Sequence, residues 1–217
     1  MKPLATAEIS TLLCLGAHAD DIEIGCGGTL LEWLDQRPDL EVHWYVFSAA
    51  GERRQEAEQS AARFLQGARR KHVHVLDYDD SYFPTQWSPI KRTMAEIAQQ
   101  VQPDVIFTHH RRDRHQDHRV LAELSWCGFR DHLICEYEIP KYEGDLGQPN
   151  VFVPLDAKHC TAKTETLLDA FPSQREKRWF DAELFAGLMR LRGSECNAAS
   201  GYAEAFHVAK STWTLSG

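Results

Sequence analysis

A histidine and two aspartates follow directly after an apolar run near the start of the chain. The run Leu12–Ala17 leads into His18, Asp20 and Asp21, which is the pattern of a buried strand whose carboxyl end opens into a polar loop. Open α/β sheets place their binding sites at such strand ends. Imidazole and carboxylate groups are also the ligands of catalytic zinc, which takes three protein ligands and keeps one position for water. The segment therefore predicts metal chemistry.

A second group of the same kind lies near the middle of the chain. Another short β-branched and aromatic run, Val105–Thr108, ends in a loop that contains His115, Asp117 and His118. The two histidines are three residues apart, so they point the same way if a helix begins near Asp117. Two predicted strands thus end in side chains that could bind the same metal ion.

Together the two groups supply enough ligands for one metal ion. His18 and Asp21 provide two, and His115, His118 or both provide the third. Successive carboxylates do not easily bind one ion together, so Asp20 is free to take a proton from the metal's water. Taken alone, an Asp-Asp pair after a strand is more often a helix cap, and a histidine pair in a basic loop usually lies at the surface. Their occurrence together after two strand-like runs favours a metal site.

Alternating strands and helices position these groups over the first two-thirds of the chain. The patterns predict strands at 11–17, 41–48, 72–76 and 105–108, and helices at 29–36, 53–66 and 90–101. Further on they predict helices at 120–129, 158–168 and 175–191, and extended segments at 134–140, 151–155 and 203–208. Repeated strand-helix units with short links give a mostly parallel sheet with helices on both faces. We therefore expect an α/β, Rossmann-like fold with an irregular C-terminal third.

Length and composition favour one globular domain over residues 1–217. The chain has 43% hydrophobic and 26% charged residues, and its formal net charge of −8 argues against binding to nucleic acid. No run approaches the roughly 20 apolar residues that span a bilayer, and the N-terminus lacks the pattern of a secretory signal. Six cysteines without a Cys-x-x-Cys pair indicate a reducing compartment. We expect a cytoplasmic protein that is not bound to a membrane.

The two groups lie in segments that resemble a known enzyme family. Gly16–Leu30 looks like the first signature of the PIG-L (LmbE-like) zinc-dependent N-acetylglucosamine deacetylases, and His115–His118 looks like the second. Weaker similarities occur at Gly51–Glu56, Pro103–Phe107 and Tyr202–Phe206. The usual first motif reads His-Pro-Asp-Asp-Glu, whereas this chain has Ala19 in place of the proline and Ile22 in place of the glutamate. The histidine and both aspartates are retained.

The resemblance implies a role for each matching residue. The metal ligands that it implies are His18, Asp21 and His118. It implies that Asp20 is the general base and that Arg53 contacts substrate. It further implies that His115 acts as an imidazolium held by Asp117 and stabilises the oxyanion. Zinc is the implied cofactor, although another divalent ion such as Fe²⁺ would suit the same ligands.

The reaction that the resemblance implies is hydrolysis of the acetamide on an N-acetylglucosamine-type sugar conjugate, a small-molecule substrate. Aromatic rings stack on sugar faces, although core or rim packing explains them equally well; we expect Tyr137 or Tyr142 to bind substrate or the oxyanion. A metal-dependent deacylase of a non-sugar N-acyl metabolite would share all of this chemistry. A non-catalytic sugar-binding homologue is disfavoured because Asp20 and His115 are both present. The sequence leaves the oligomeric state open, a homo-oligomer included.

Overall fold

Strands and helices alternate along the first part of the chain. The computed structural model describes residues 9–212, so the ends of the predicted 1–217 domain lie outside the described residues. The strands are β1 (Thr11–His18), β2 (Glu41–Ser48), β3 (Arg70–Val75), β4 (Val105–His109), β5 (Leu133–Tyr137), β6 (Val151–Leu155) and β7 (Tyr202–His207). The helices are α1 (Asp21–Gln36), α2 (Glu52–Phe64), α3 (Trp87–Gln100), α4 (Gln116–Gly128), α5 (Ala157–Ala170) and α6 (Ala182–Glu195). Short 3₁₀ turns lie at Phe83–Gln86 and Pro172–Gln174.

The strands form one sheet in the order β3-β2-β1-β4-β5-β7-β6 within residues 9–212. Strands β1 to β5 pair in parallel, and β7 is antiparallel to both β5 and β6. The predicted α/β fold with a mostly parallel sheet is therefore confirmed. The chain moves outward from β1 to β3 on one side and from β4 to β5 on the other. Ligands bind at the carboxyl ends of strands at such a reversal of strand order, which lies here between β1 and β4.

Both faces of the sheet are covered, and strand β1 is buried on both. Leu12 and Cys14 pack into a core that α1, α2, α5 and α6 complete on one face. Leu13 and Leu15 point to the other face, where α3 and α4 cover them. Successive residues of a strand face opposite sides, so a strand buried on both faces reads as one continuous apolar run. This explains why the run before His18 is so marked in the sequence.

Helix α1 begins at Asp21 rather than near residue 29. Glycine has a low helix propensity, and the glycines in the first half of α1 hide its start in the sequence. Each is needed for close packing: a Cβ atom on Gly25 would lie 2.3 Å from the Tyr137 ring, and one on Gly28 would lie 2.7 Å from Leu155. Tertiary packing therefore overrides local propensity, and the helix axis lies close to the sheet.

The last helix also differs from its predicted bounds of 175–191. Helix α6 starts at Ala182 because the carboxylate of Asp181 accepts the backbone N–H groups of Glu183 and Leu184. Such a cap fixes a helix start, and the residues before it form turns. The predicted start at residue 175 is wrong. No helix in residues 9–212 combines the length and the apolar character needed to cross a bilayer.

We expect the Gly25→Ala variant to be less stable than the native protein. The added methyl group would overlap the Tyr137 ring, and overpacking of this kind typically costs about 1–3 kcal/mol. Gly187 is the matched control, because it lies inside α6 and a methyl group added there would have no neighbouring atom within 4 Å. Gly187→Ala should gain up to about 1 kcal/mol. Urea unfolding checks both values, and equal midpoints for the two variants would contradict the packing argument.

Candidate metal centre

The two predicted groups meet in the crevice between β1 and β4. His18 is the last residue of β1, and Asp21 is the first residue of α1. His118 lies in the first turn of α4, close behind the end of β4. Strands β1 and β4 are parallel neighbours, so their carboxyl ends open at the same edge of the sheet. Segments far apart in the chain are thereby brought into contact.

Donor atoms of three side chains lie close together at the centre of this crevice. Nδ1 of His18 lies 3.2 Å from Nε2 of His118 and 3.3 Å from Oδ2 of Asp21. Nε2 of His118 lies 3.5 Å from the other oxygen of Asp21. Ligands bound tetrahedrally to zinc at about 2.0–2.1 Å are separated by about 3.3 Å. Each of these pairwise distances is close to that separation.

The other nitrogen of each ring faces a carboxylate. Nδ1 of His118 lies 2.8 Å from Asp113, and Nε2 of His18 lies 3.2 Å from both Asp117 and Asp80. A metal-binding histidine commonly donates its second N–H in this way, which fixes the tautomer and directs the remaining lone pair at the metal. Two lone pairs and a carboxylate facing one point require a positive charge between them, either a proton or a metal cation.

The electrostatics of the crevice favour the metal-binding forms of Asp21 and His118 but the protonated form of His18. Burial alone would raise the pKa of Asp21, but His118, His109 and His18 hold it well below its usual value. Burial and the neighbouring His109 lower the pKa of His118 to about 3. Burial would also lower the pKa of His18, but Asp21 and two further carboxylates raise it well above the usual value. His18 therefore takes up a proton at neutral pH unless another cation occupies the gap, and metal binding would release that proton.

Asp20, the predicted general base, is held by Arg53. One guanidinium nitrogen of Arg53 donates to Oδ1 of Asp20 over 2.8 Å, and the other donates to Glu56 over 2.9 Å. The same guanidinium lies over the ring of Phe171. Arg53 thus hydrogen-bonds to Asp20 in this structure. Its contact with substrate stays a prediction.

His115 and Asp117 are arranged differently from the expectation. The backbone N–H of Asp117 donates to Nδ1 of His115, which caps α4, so the ring proton is on Nε2. The Asp117 carboxylate instead accepts the N–H groups of Ser81 and Phe83 and contacts His18. Burial and the neighbouring His18 lower the pKa of His115. Asp117 thus holds His115 through its backbone N–H in this structure, and the role of His115 as an imidazolium stays a prediction.

A fourth histidine, His109, was missed by the sequence reasoning. It ends β4, is fully buried and stacks on His118 with ring centres 3.8 Å apart. Its Nε2 lies 3.0 Å from the backbone nitrogen of Ala17 and 3.2 Å from Asp21. Asp21, His109 and His118 form a second set of three groups that could hold a metal ion, beside the set of His18, His115 and His118. The signal was present, since this histidine directly follows the apolar run of β4.

A buried ion pair behind the centre was also missed. The ammonium group of Lys141 donates to Asp113, the carboxylate that contacts His118, over 2.9 Å, and to Asp145 at the same distance. Burial would raise the pKa of Asp113, but His118 and Lys141 are among the groups that hold it well below its usual value. The loop between β5 and β6 is thereby connected to a candidate metal ligand.

The two predicted tyrosines occupy opposite environments. Tyr137 is fully buried, and its hydroxyl donates to the carbonyl oxygen of Leu15 over 2.7 Å. It belongs to the core, so the expectation that it binds substrate is wrong. Tyr142 is 71% exposed. It lies in the loop after β5, next to Lys141, where a bound molecule could reach it.

Comparison with known proteins identifies the family of this chain. Residues 13–127, more than half of the chain, match the PIG-L family, described as GlcNAc-PI de-N-acetylase. The chain belongs to the PIG-L family. The chain is also similar to the uncharacterized deacetylase YaiS of Escherichia coli (strain K12), with 27% identity over 166 residues that cover 72% of this chain and 88% of that protein.

Solved structures show that the chain has the LmbE-like fold of the PIG-L family. The N,N'-diacetylchitobiose deacetylase of Pyrococcus horikoshii has a TM-score of 0.74 at 19% identity, covering 93% of this chain and 84% of that one. GalB, the 4-carboxy-2-hydroxymuconate hydratase of Pseudomonas putida KT2440, has a TM-score of 0.77 at 17% identity, covering 96% and 99%. At such identities the likeness shows the fold alone.

Removing the Tyr137 hydroxyl should destabilise the protein. The Tyr137→Phe variant leaves the buried carbonyl oxygen of Leu15 without this donor, and the loss of such a hydrogen bond costs about 1 kcal/mol. Tyr142→Phe, which removes the same atom from an exposed ring, is the matched control and should unfold like the native protein. Denaturant unfolding measures both, and equal stability of the two variants would place Tyr137 outside the core.

Proposed function

We propose that this PIG-L protein is a metal-dependent N-deacetylase that hydrolyses the acetamide of an N-acetylglucosamine-type sugar conjugate. The observation that carries the proposal is the convergence of donor atoms from His18, Asp21 and His118 at a strand-order reversal, with Asp20 directly before Asp21. Family membership supports the same chemistry. So do the names of two similar proteins, an uncharacterized deacetylase of Escherichia coli and a diacetylchitobiose deacetylase of Pyrococcus horikoshii.

Zinc is the metal that we propose for this centre. The residues that would hold it are His18, Asp21 and His118. Two imidazoles and one carboxylate are a ligand set found in catalytic zinc sites, and they leave a position for water. The same set accepts Fe²⁺, and metal availability also decides which ion is bound. When bound, such an ion activates a water molecule and polarises the acetamide carbonyl.

Asp20 is the proposed proton carrier. It accepts a proton from the attacking water and passes it to the amide nitrogen, so that the C–N bond breaks and acetate and a free amine are released. Arg53 donates to one Asp20 oxygen, which fixes the orientation of the carboxylate and leaves its other oxygen to take the proton. Arg53 is therefore a positioning residue in this proposal.

His115 is the proposed hydrogen-bond donor to the oxyanion. Its Nδ1 is occupied by the N–H of Asp117, so its Nε2–H is available to donate as negative charge develops on the carbonyl oxygen. A preorganised donor of this kind typically contributes about 3–4 kcal/mol to transition-state stabilisation. Asp117 would orient His115 through its backbone and His18 through its carboxylate. A neutral ring is sufficient for this role.

Two exposed tyrosines support a sugar as the substrate. Tyr142 follows Lys141, which contacts Asp113, and Tyr82 follows Ser81, whose N–H donates to Asp117. Each tyrosine thus neighbours in sequence a residue that hydrogen-bonds to a carboxylate of the crevice, either Asp113 or Asp117. Aromatic rings with one polar end suit the apolar faces and hydroxyl edges of sugars. We propose that Tyr142 contacts the sugar of a small-molecule conjugate.

The cellular setting follows from charge and cysteine chemistry. The net charge of −8 does not favour nucleic acid or an anionic membrane surface as a partner. All six cysteines are free in the part of the chain that the structure describes, which suits a reducing compartment. We propose a cytoplasmic enzyme acting on a small molecule.

The proposal is tested by measuring acetate release from two substrate panels. One panel contains N-acetylglucosamine conjugates, and the other contains N-acetylated amines without a sugar. We expect release from the sugar panel that a chelator abolishes and added Zn²⁺ restores. Release from the non-sugar panel alone would replace the sugar by another N-acyl metabolite. A metal-loaded protein that releases no acetate from either panel would overturn the deacetylase assignment.

The Asp20→Asn variant separates proton transfer from metal binding. Asparagine retains an oxygen that can accept from Arg53 but cannot take up the proton, so kcat should fall by about 10²–10⁴. Metal content, measured by elemental mass spectrometry on the same sample, should stay at the native value because Asp20 is not a proposed ligand. A variant with near-native kcat would show that another group is the base.

A further inference from the structure

A second cluster of metal-ligand side chains lies far along the sheet from the crevice. Glu41 and His43 are on β2, and His72 is on the edge strand β3 directly opposite His43. Glu41 and His43 are two residues apart on one strand, so they point to the same face, which His72 shares across the strand pair. The cluster sits at the amino end of β2, whereas the crevice lies at the carboxyl ends of β1 and β4.

Both histidine nitrogens of this cluster face the same oxygen of Glu41. Nε2 of His43 and Nε2 of His72 lie 3.2 Å and 3.1 Å from the same oxygen, Oε1 of Glu41. The two rings are stacked, with centres 4.5 Å apart and an angle of 17° between their planes. All three donor atoms lie within 4.8 Å of one another. Separations near 3.3 Å are those of ligands around a tetrahedral zinc ion.

We propose that Glu41, His43 and His72 form a second metal site, specific for divalent transition ions such as Zn²⁺. Two imidazoles and a carboxylate favour zinc, copper or nickel over Mg²⁺ and Ca²⁺, which prefer all-oxygen ligands. The side chain of His72 is 48% exposed and that of His43 is 14% exposed. The site is therefore open to solvent on one side, where water would complete the coordination.

Arg70 contacts only one of the two oxygens of the Glu41 carboxylate. Arg70 is bonded to this oxygen, Oε2, over 2.8 Å. The oxygen nearest both histidines is thus left to the metal, while the guanidinium opposes a second positive charge.

An ion at this position would join the edge strand to the rest of the sheet. Strand β3 pairs only with β2 in the described sheet, and its residues are mostly exposed. A ligand that binds the folded state and not the unfolded chain stabilises the fold by mass action. Occupancy of this site therefore couples metal supply to the stability of strand β3.

Zinc stoichiometry of untagged protein tests the proposal. Native protein, His72→Ala and His74→Ala would be dialysed against the same Zn²⁺ buffer and analysed by elemental mass spectrometry. His74 is the matched control, because it lies on the same strand and face but stacks on Tyr45 outside the cluster. We expect His72→Ala to bind one ion fewer per chain than the other two proteins. The test compares the zinc content of the three proteins, so zinc bound in the crevice contributes equally to each and does not affect the difference.

Equal zinc content in all three proteins would overturn the second site and would leave the deacetylase proposal untouched. The Arg70→Ala variant gives an independent measurement in the opposite direction. Removing the opposing guanidinium should tighten zinc binding by up to about fivefold, the range of an exposed ion pair. Isothermal titration on the His118→Ala background, which removes a proposed ligand of the crevice, would report the affinity of the second site. Unchanged or weaker binding in Arg70→Ala would contradict the cluster as the binding site.

Discussion

The buried carboxylate of Asp21 is the group on which the arrangement of the crevice depends. One of its oxygens accepts the backbone N–H of His18, and His109 and His118 lie within 3.5 Å of the carboxylate. A carboxylate that is nearly inaccessible to water stays ionised only if such partners replace its hydration. Its place in the first turn of α1 adds the favourable field of a helix N-terminus. The ends of β1 and β4 and the start of α4 are therefore held around one negative charge, and any change in the packing of α1 would move that charge.

The fold and most of the crevice were predictable because strand ends carry a local signal. Apolar runs that stop at His18 and before His109 mark the two strands, and the α/β alternation places their ends together. The residues that contact the crevice side chains from distant loops had no comparable sequence pattern. Lys141 reaches Asp113 from a loop, and only the folded chain shows that contact. Tyr137 was misassigned because a polar aromatic at a strand end has the same pattern whether it faces a pocket or a helix.

The reaction depends on side chains and not on the fold. A hydratase in Pseudomonas putida and a deacetylase in Pyrococcus horikoshii share this fold with the chain at low identity, so architecture alone does not choose between addition of water and hydrolysis. In this chain the Asp20 carboxylate is bonded to Arg53 from helix α2, and Arg53 is in turn fixed by Glu56. Helix α2, which carries both Arg53 and Glu56, thus determines the orientation of the proposed base.

The position of β7 has a consequence for the order in which the protein can fold. This last strand of the described chain lies between β5 and β6, so β6 has no partner in the sheet until β7 is present. Glu204 of β7 also accepts the N–H groups of Gly28 and Thr29 inside α1. Contacts of such long sequence separation form slowly. Helix α1, which begins with Asp21, therefore lacks the two Glu204 contacts until residues 202–207 have been synthesised.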